Sequence, residues 1–143
     1  MVDYAHTPHA LETVLHALKN LVKGRILLVF GCGGDRDKEK RPMMGKVADE
    51  NSGIFWLTND NPRSEDPQNI IEDIKAGIKP GRIFYIQKDR RTAIEEALAE
   101  AKSDDLVLIA GKGHEKHQII KDTIIPFDDR EVVKKILSNN SDR

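Results

Sequence analysis

The strongest constraint on this chain is a regular alternation of short apolar runs with amphipathic patterns of helical period. Four runs are almost continuously apolar: RILLVF (25–30), GIFWLT (53–58), RIFYIQ (82–87) and DLVLIAG (105–111). Runs of this kind are typical of strands that are covered on both faces. Because helical patterns separate them, right-handed crossovers and a mostly parallel sheet are expected. The alternation therefore predicts an α/β fold, a Rossmann-like three-layer domain.

The helical patterns carry recognisable start and stop signals. In the first pattern, apolar residues recur at spacings of three and four from Leu11 to Val22, with Thr7 as N-cap, Pro8 in the first turn and Gly24 as the stop. The later helices are predicted to begin at Pro42, at Asp66-Pro67, after Asp89 and at residue 128.

The segments outside this alternation are short. HQIIKDTIIPF (117–127) predicts two short strands around a Lys-Asp turn, which would form an antiparallel edge near the C-terminus. Residues 1–7 and 138–143 are expected to be loosely held.

Composition limits the partners of the chain. Its 143 residues suffice for one domain with a real core, expected to span residues 1–143. Charged residues make up 33% but the net charge is -1, so no overall field favours nucleic acid or a membrane surface. Cys32 is the single cysteine and cannot form an internal disulfide, and no apolar run approaches the roughly 20 residues that span a bilayer. We expect a cytoplasmic protein without nucleic-acid or membrane partners.

Unusual loops follow all four predicted strands. They are GCGGDRDKEKRP, NDNPRSEDP, KDRR and GKGHEK, in chain order. In an open α/β sheet, ligands bind beyond the carboxyl ends of the parallel strands. Because these loops share that rim in the predicted topology, their convergence indicates a ligand site more strongly than any one of them does.

The first of these loops matches no standard phosphate-binding motif. GCGGDRD (31–37) contains neither GxxxxGK[ST] nor GxGxxG with the expected acidic residue, so the chain shows no nucleotide-hydrolysing machinery of its own. Its glycines are equally well explained by a tight turn between strand and helix. Arg36 is the informative residue, because a guanidinium at the rim can bind a carboxylate through two parallel hydrogen bonds.

The DNPR segment (60–63) allows two interpretations. An Asx turn leading into the next helix would explain Asp60, Asn61 and Pro62 without any ligand. In the functional interpretation, Pro62 fixes the backbone, Asn61 offers a donor and an acceptor, and Arg63 binds a carboxylate.

The GKGHE segment (111–115) adds groups that suit a cation. Gly111 would allow a sharp turn that exposes main-chain carbonyls, and Glu115 could accept a substrate ammonium. His114 and His117 lack the HExxH spacing, so no metal site is expected and their roles stay open. No catalytic constellation can be assigned. Two arginines, an asparagine, a glutamate and exposed backbone together suit a small zwitterion such as an amino acid.

Five segments, in chain order, carry a resemblance to a known family: DYAHTP, GCGGDRDKEKRPMMG, TNDNPRSEDP, LIAGKGHE and PFDDREV. Over nearly its whole length the chain resembles the C-terminal domain of the Mur ligases, and within them the branch that adds meso-diaminopimelate during peptidoglycan synthesis. DNPR is the most specific segment, because in this family it marks ligases that take meso-diaminopimelate. Lysine-adding relatives usually carry a different residue in place of Arg63.

The resemblance implies how the rim residues bind the substrate. Arg36 and Arg63 would hold carboxylates of diaminopimelate, with Arg63 binding the distal one that lysine lacks. Asn61 would hydrogen-bond the same distal end, while the Gly111 carbonyl and the Glu115 carboxylate would bind its ammonium group. The implied substrate-binding set is Arg36, Asp60, Asn61, Arg63, Gly111 and Glu115.

The resemblance also implies partners that this chain does not bind alone. Complete Mur ligases have an N-terminal domain for the UDP-sugar peptide and a central domain with the P-loop and magnesium ligands. ATP and magnesium would be bound mainly by that central domain, with Asp3 contacting the ATP ribose and His6 lying nearby. UDP-MurNAc-dipeptide would bind through the missing domains. In the family reaction the incoming amine attacks an acyl phosphate, so the chain alone is expected to fold without catalysing.

Two other functions remain open at this stage. The chain could be a stand-alone amino-acid-binding or regulatory module on the same fold, which the absence of a P-loop in the upstream coding sequence would favour. A nucleotide-binding Rossmann-like domain is a weaker alternative, because the phosphate-binding fingerprint is missing.

Overall fold

The computed structural model describes residues 1–141 of the chain, with side chains as far as residue 139. The strands are β1 (Val2–Asp3), β2 (Ile26–Phe30), β3 (Ile54–Leu57), β4 (Tyr85–Ile86), β5 (Leu106–Ala110), β6 (His117–Ile120) and β7 (Thr123–Pro126). The helices are α1 (Pro8–Lys19), α2 (Lys40–Asn51), α3 (Pro67–Lys75), α4 (Arg90–Glu100) and α5 (Asp129–Ser141). None of the described helices is long and apolar enough to cross a membrane.

Five of the strands form one parallel sheet in the order β1-β5-β2-β3-β4. β2 lies between β3 and β5. Leu28 on β2 pairs with Phe55 on β3 and with Leu108 on β5, which gives the register of the three central strands. The chain thus moves outward from β2 to β4 and then returns across the sheet to β5. The predicted α/β fold with a mostly parallel sheet is confirmed.

Alternate side chains of the central strands enter two separate cores, as the period of two in a strand requires. On β2, Leu28 and Phe30 pack into the core beneath α1, α2 and α3, whereas Leu27 and Val29 pack into the core beneath α4 and α5. Every residue of β2 is buried. The continuously apolar runs therefore reflect a sheet covered on both faces, and the layers are helix, sheet and helix.

Side-chain caps explain where most of the helices begin. Thr7 caps α1 by accepting from the Ala10 amide at 3.1 Å, Asp66 caps α3, and Asp89 caps α4 by accepting from the Thr92 amide at 3.1 Å. The predicted start at Pro42 is wrong, because α2 begins two residues earlier and has no side-chain cap. A proline in the first turn interrupts no helical hydrogen bond, so the helix accommodates it there.

The ends of the chain are more ordered than the sequence predicted. β1 pairs with β5, with Val2 opposite Ile109 and Asp3 opposite Ala110. The expectation that residues 1–7 are loosely held is therefore wrong. At the other end α5 continues to Ser141, while residues 142–143 lie outside the described part of the chain.

The two predicted C-terminal strands are antiparallel, as expected, but they form a sheet of their own. This β6–β7 hairpin contacts the rest of the molecule at the DNPR segment. An isolated parallel bridge joins Arg63 to Ile120, and the Arg63 amide donates to the Ile119 carbonyl at 2.9 Å. The hairpin is therefore placed against the rim where the site was predicted.

Candidate functional site

A cavity of about 390 Å³ opens at the carboxyl ends of β1, β2, β3 and β5. Seven of the eight residues assigned from the sequence line it: His6, Arg36, Asp60, Asn61, Arg63, Gly111 and Glu115. Asp3 does not line the cavity, and its carboxylate accepts from the Ala5 amide at 2.8 Å. The loop after β4 does not reach the cavity either, because β4 is at the far edge of the sheet.

The two loops that carry the arginines are joined directly to each other. The Gly34 amide donates to the Asn61 carbonyl at 2.7 Å, and Arg63 Nη1 donates to the Gly34 carbonyl at 2.9 Å. A Cβ at Gly34 would lie 1.8 Å from the Pro62 carbonyl oxygen, so only glycine permits this approach. Arg63 itself has φ +52°, a conformation that is uncommon outside glycine. Its guanidinium is therefore held at the cavity wall by surrounding backbone.

Arg41 supplies a second connection between these loops. It is 1% exposed and binds both Glu65 oxygens, at 3.0 and 2.8 Å, as well as Asp73 at 2.9 Å and the Gly33 carbonyl at 3.0 Å. The Arg41 hydrogen bond holds the pKa of Glu65 down at about 2. Arg41 thus bonds both to the GCGGDRD loop after β2 and to the loop after β3. The shape of the cavity is therefore fixed by bonds within this chain.

Asp60 brings a negative charge to the floor of the cavity. The residue is 7% exposed, and its Oδ1 has no hydrogen-bond partner among the described residues. Burial raises the pKa of Asp60, while the nearby positive charges of Arg90 and Lys112 act in the opposite direction. A buried carboxylate oxygen without a partner is costly unless a ligand satisfies it.

Arg36 and Glu115 lie at the more open parts of the cavity wall. Arg36 is exposed and its Nη1 donates to the Asp35 carbonyl at 3.1 Å. The Glu115 side chain is 37% exposed, and its Oε1 lies 3.7 Å from Lys112 Nζ. Gly111 has φ +115°, and its amide donates to the Asp3 carbonyl at 3.1 Å. The cavity therefore presents groups of both charges, with the arginines on the loops after β2 and β3.

Tyr4 and His6 line one edge of the cavity, and their rings form an aromatic cluster with His114. The Tyr4 ring lies 4.7 Å from the His6 ring and 5.7 Å from the His114 ring, measured between centroids. His6 Nδ1 lies 3.0 Å from the Tyr4 carbonyl. His117 is exposed on β6, and only its carbonyl takes part in the site. In residues 1–141, no group of three or more His, Cys, Asp or Glu side chains lies together as a metal site would require.

The basic KDRR loop has a structural role instead of the predicted place on the rim. Arg90 is 1% exposed and binds Asp129 through two hydrogen bonds, at 2.8 and 2.7 Å. It also donates to the Asn59 carbonyl at 3.1 Å and the Ala110 carbonyl at 3.2 Å. These bonds fix the ends of β3 and β5 beneath the cavity.

Sequence reasoning missed three charged residues that build the site: Arg41, Arg90 and Lys112. Each is almost fully buried, yet each stands among charged residues in the sequence, a pattern that predicts a solvent-exposed segment. Arg41 and Lys112 lie inside the segments that resemble the Mur ligases, which was the one signal that could have directed attention to them.

A parallel sheet with a charged cavity at its carboxyl edge defines a Rossmann-like ligand-binding domain. Residues 1–113 match the family model described as "Mur ligase, glutamate ligase domain". The chain belongs to this family, and the predicted resemblance is confirmed.

Individual relatives agree with this assignment. A protein of Caldanaerobacter subterraneus named UDP-N-acetylmuramoyl-L-alanyl-D-glutamate–2,6-diaminopimelate ligase is 53% identical over 97% of the chain. A solved structure with the same enzyme name is 45% identical, has a TM-score of 0.93 and covers 98% of the chain. E. coli FolC in complex with DHPP and ADP is 27% identical over 77% of the chain, with a TM-score of 0.57. The chain spans 29% of the first two proteins and 25% of the third.

Proposed function

We propose that this chain is the C-terminal, amino-acid-binding domain of an ATP-dependent ligase that adds meso-diaminopimelate to UDP-MurNAc-L-Ala-D-Glu. The observation that carries the proposal is the cavity, in which Arg36 and Arg63 line the wall together with the carboxylates of Asp60 and Glu115. A ligand with carboxylates and ammonium groups at both ends is complementary to that arrangement. The enzyme name that these two relatives share supports the same substrate.

In the proposed complex, Arg63 and Asn61 bind the distal carboxylate of meso-diaminopimelate, and Arg36 binds the other carboxylate. Asp60, Glu115 and the Gly111 carbonyl bind ammonium. Lysine lacks the distal carboxylate, so it would leave the Arg63 guanidinium without its anion. Specificity of this kind is large, because a site built for a polar group penalises a ligand that lacks it.

The remaining parts of the ligation are assigned to domains outside this chain. ATP, magnesium and the UDP-sugar dipeptide would be bound mainly there, in the cytoplasm, and the described residues build no metal site of their own. Asp3 and His6 are proposed to contact the nucleotide from this side, and the ADP in the FolC structure is consistent with nucleotide use on a related fold. This chain would hold the amine that attacks the activated carboxyl group, and alone it would show no turnover.

Calorimetric titration with meso-diaminopimelate and with lysine tests the proposal. We expect selective binding of meso-diaminopimelate, reduced at least about 100-fold in Arg63→Ala because the distal carboxylate loses a charge-assisted pair. Arg91→Ala is the matched control, because Arg91 is an exposed arginine that pairs with Glu95 on α4, away from the cavity. Equal binding of both ligands, or an equal loss in the two variants, would contradict the assignment of Arg63. If the chain alone binds neither ligand, the same six titrations, of three chains with two ligands, are made in the full-length ligase.

A further inference from the structure

Lys112 is a buried lysine two residues after β5, the second residue of the GKGHE segment. Its side chain is 0% exposed. Nζ donates to the His117 carbonyl on β6 and to the Asn61 side-chain oxygen at 3.3 Å. A buried ammonium is costly unless its donors are satisfied, so these contacts fix both the lysine and the groups that it touches.

The Asn61 side chain has only one orientation that is compatible with its neighbours. Its Oδ1 accepts from Lys112 Nζ at 3.3 Å and from the Ile119 amide at 3.0 Å. An ammonium and a backbone amide are both donors without acceptor capacity, so the atom that they share must be the carbonyl oxygen. The Asn61 NH2 group makes no hydrogen bond within the described residues, and Asn61 lines the cavity.

We propose that Lys112 is a positioning residue, which holds the Asn61 amide so that only its NH2 group is offered to the ligand. This inference rests on the proposed function and specifies how one of its residues works. With its oxygen committed, Asn61 can donate but cannot accept, so it binds a carboxylate and rejects an ammonium at the same position. The Lys112 ammonium that donates to the Asn61 oxygen also polarises the amide and strengthens its NH2 group as a donor.

A simpler role for Lys112 would be to neutralise the Asp60 carboxylate. The geometry favours the Asn61 contact, because Lys112 Nζ lies 3.9 Å from Asp60 Oδ1, beyond hydrogen-bond distance, and that oxygen has no partner. Burial lowers the pKa of Lys112, while the charges of Asp60 and Glu115 act to raise it. In one role Lys112 acts through Asp60 and in the other through Asn61, and substitutions can distinguish the two.

The first test measures stability without any ligand. Asn61→Asp places a carboxylate oxygen beside Lys112 and the Ile119 amide, so we expect the urea midpoint to stay unchanged or rise. In the Lys112→Met background the same substitution buries an unpaired charge and should lower the midpoint sharply. Lys116→Met, at an exposed lysine of the same loop, is the matched control and should show no such coupling to Asn61→Asp. Additive effects of Lys112→Met and Asn61→Asp would overturn the proposal.

The second test measures binding of meso-diaminopimelate and of lysine. Asn61→Asp should weaken the binding of meso-diaminopimelate at least about 100-fold while the chain stays folded, because an oxygen then faces the ligand carboxylate. Lys112→Met should weaken the binding of meso-diaminopimelate about 10-fold and the binding of free lysine far less, since lysine has no distal carboxylate for Asn61 to bind. Wild-type affinity in Asn61→Asp, or an equal loss for both ligands in Lys112→Met, would overturn the positioning role. If the chain alone binds neither ligand, these affinities too are measured in the full-length ligase. Stability coupling in a full-length ligase that binds neither ligand would remove the proposed function and leave the contact between Lys112 and Asn61 intact.

Discussion

Cys32 shows how position in this site determines the chemistry of a single side chain. The thiol follows the glycine at the end of β2 and lines the cavity. Burial raises the pKa of Cys32 to about 12, and the negative charge of Asp60 adds to the effect. Because the thiolate is the reactive form, a thiol with a raised pKa is inert at neutral pH. Cys32 is thus part of the cavity wall, and the positive charge of Arg41, which acts to lower the pKa of the thiol, is outweighed by burial and Asp60.

Alkylation of the folded chain should therefore be slow. We expect iodoacetamide at pH 8 to modify Cys32 at least about 100-fold more slowly in the native chain than in the chain unfolded in urea, because so little thiolate is present. The chain contains one cysteine, so mass spectrometry reports this site alone. Equal rates in the two states would show that the thiol is neither buried nor perturbed.

The bond between Arg41 and Glu65 predicts a dependence of stability on pH. The pKa of Glu65 is lowered from 4.5 to about 2 by the Arg41 hydrogen bond, so the folded state binds this proton less readily than the unfolded state does. A lowered pKa contributes stability above about pH 4.5 and loses it as the pH falls towards 2. Glu65→Gln should consequently cost about 1–2 kcal/mol at pH 7, and the difference from wild type should shrink between pH 4.5 and 2.

Urea unfolding at pH 7, 4 and 2.5 measures that difference. Glu12→Gln, at an exposed position on α1, is the control and should change the free energy of unfolding by less than about 0.5 kcal/mol at each pH. A difference between wild type and Glu65→Gln that stays constant with pH would contradict the role given to the Arg41 bond.

At the scale of elements, one buried ion pair joins the two helices behind the sheet. Arg90 is the first residue of α4 and Asp129 the first residue of α5, and both side chains are 0% exposed. Arg90 also binds the Ala110 carbonyl at the end of β5. The pair therefore sets the position of α5 relative to the strand end from which the GKGHE segment leaves.

Breaking this pair should cost more than removing it as a whole. Asp129→Asn leaves Arg90 buried with an incomplete partner, and we expect a loss of about 3 kcal/mol in the free energy of unfolding. The double variant Arg90→Met, Asp129→Leu removes both charges of the pair, so its free energy of unfolding should be closer to that of wild type. Asp128→Asn, which removes a half-exposed pair with Arg130, should cost less than about 1 kcal/mol. Urea unfolding of the four chains gives the comparison, and a double variant less stable than Asp129→Asn would contradict it.

The elements differ in how far the sequence could predict them. α3 and α4 were predicted to the residue at their starts, because Asp66 and Asp89 are caps whose hydrogen bonds are local. β1 was missed because its two residues acquire a strand conformation only by pairing with β5. β4 is shorter than the apolar run that predicted it, since it is an exposed edge strand with few partners.

The residues of the site also differ in how far the sequence could predict them. Arg63 and Glu115 could be predicted to lie on one rim, because strand order alone places their loops there. The burial of Lys112 could not, because it depends on the hairpin that covers it and on an asparagine 51 positions earlier. Local pattern predicts what a segment becomes by itself, and long-range packing decides which charges are removed from water.

At the scale of the whole molecule, the cavity is shared between a rigid sheet and a more exposed hairpin. All of β2 is buried between two cores, whereas every residue of β7 is exposed. The hairpin is held to the rim by polar contacts at its inner strand. Gln118 donates to the Asp60 carbonyl at 2.8 Å, and the Ile119 amide donates to Asn61. We infer that this part of the site opens by local unfolding, independently of the sheet.

Native-state hydrogen exchange should resolve these two parts. We expect amides of β2 to exchange only through global unfolding and amides of the β6–β7 hairpin to exchange at least about 100-fold faster, because few buried apolar contacts hold the hairpin. Under the proposed function, saturating meso-diaminopimelate should slow exchange at Ile119 more than at any amide of β2. The ligand would bind Asn61 and Arg63, whose partners are on β6, and so it stabilises the closed hairpin. Uniform slowing across sheet and hairpin would mean that the molecule opens as one unit, and the cavity would then have no mobile wall.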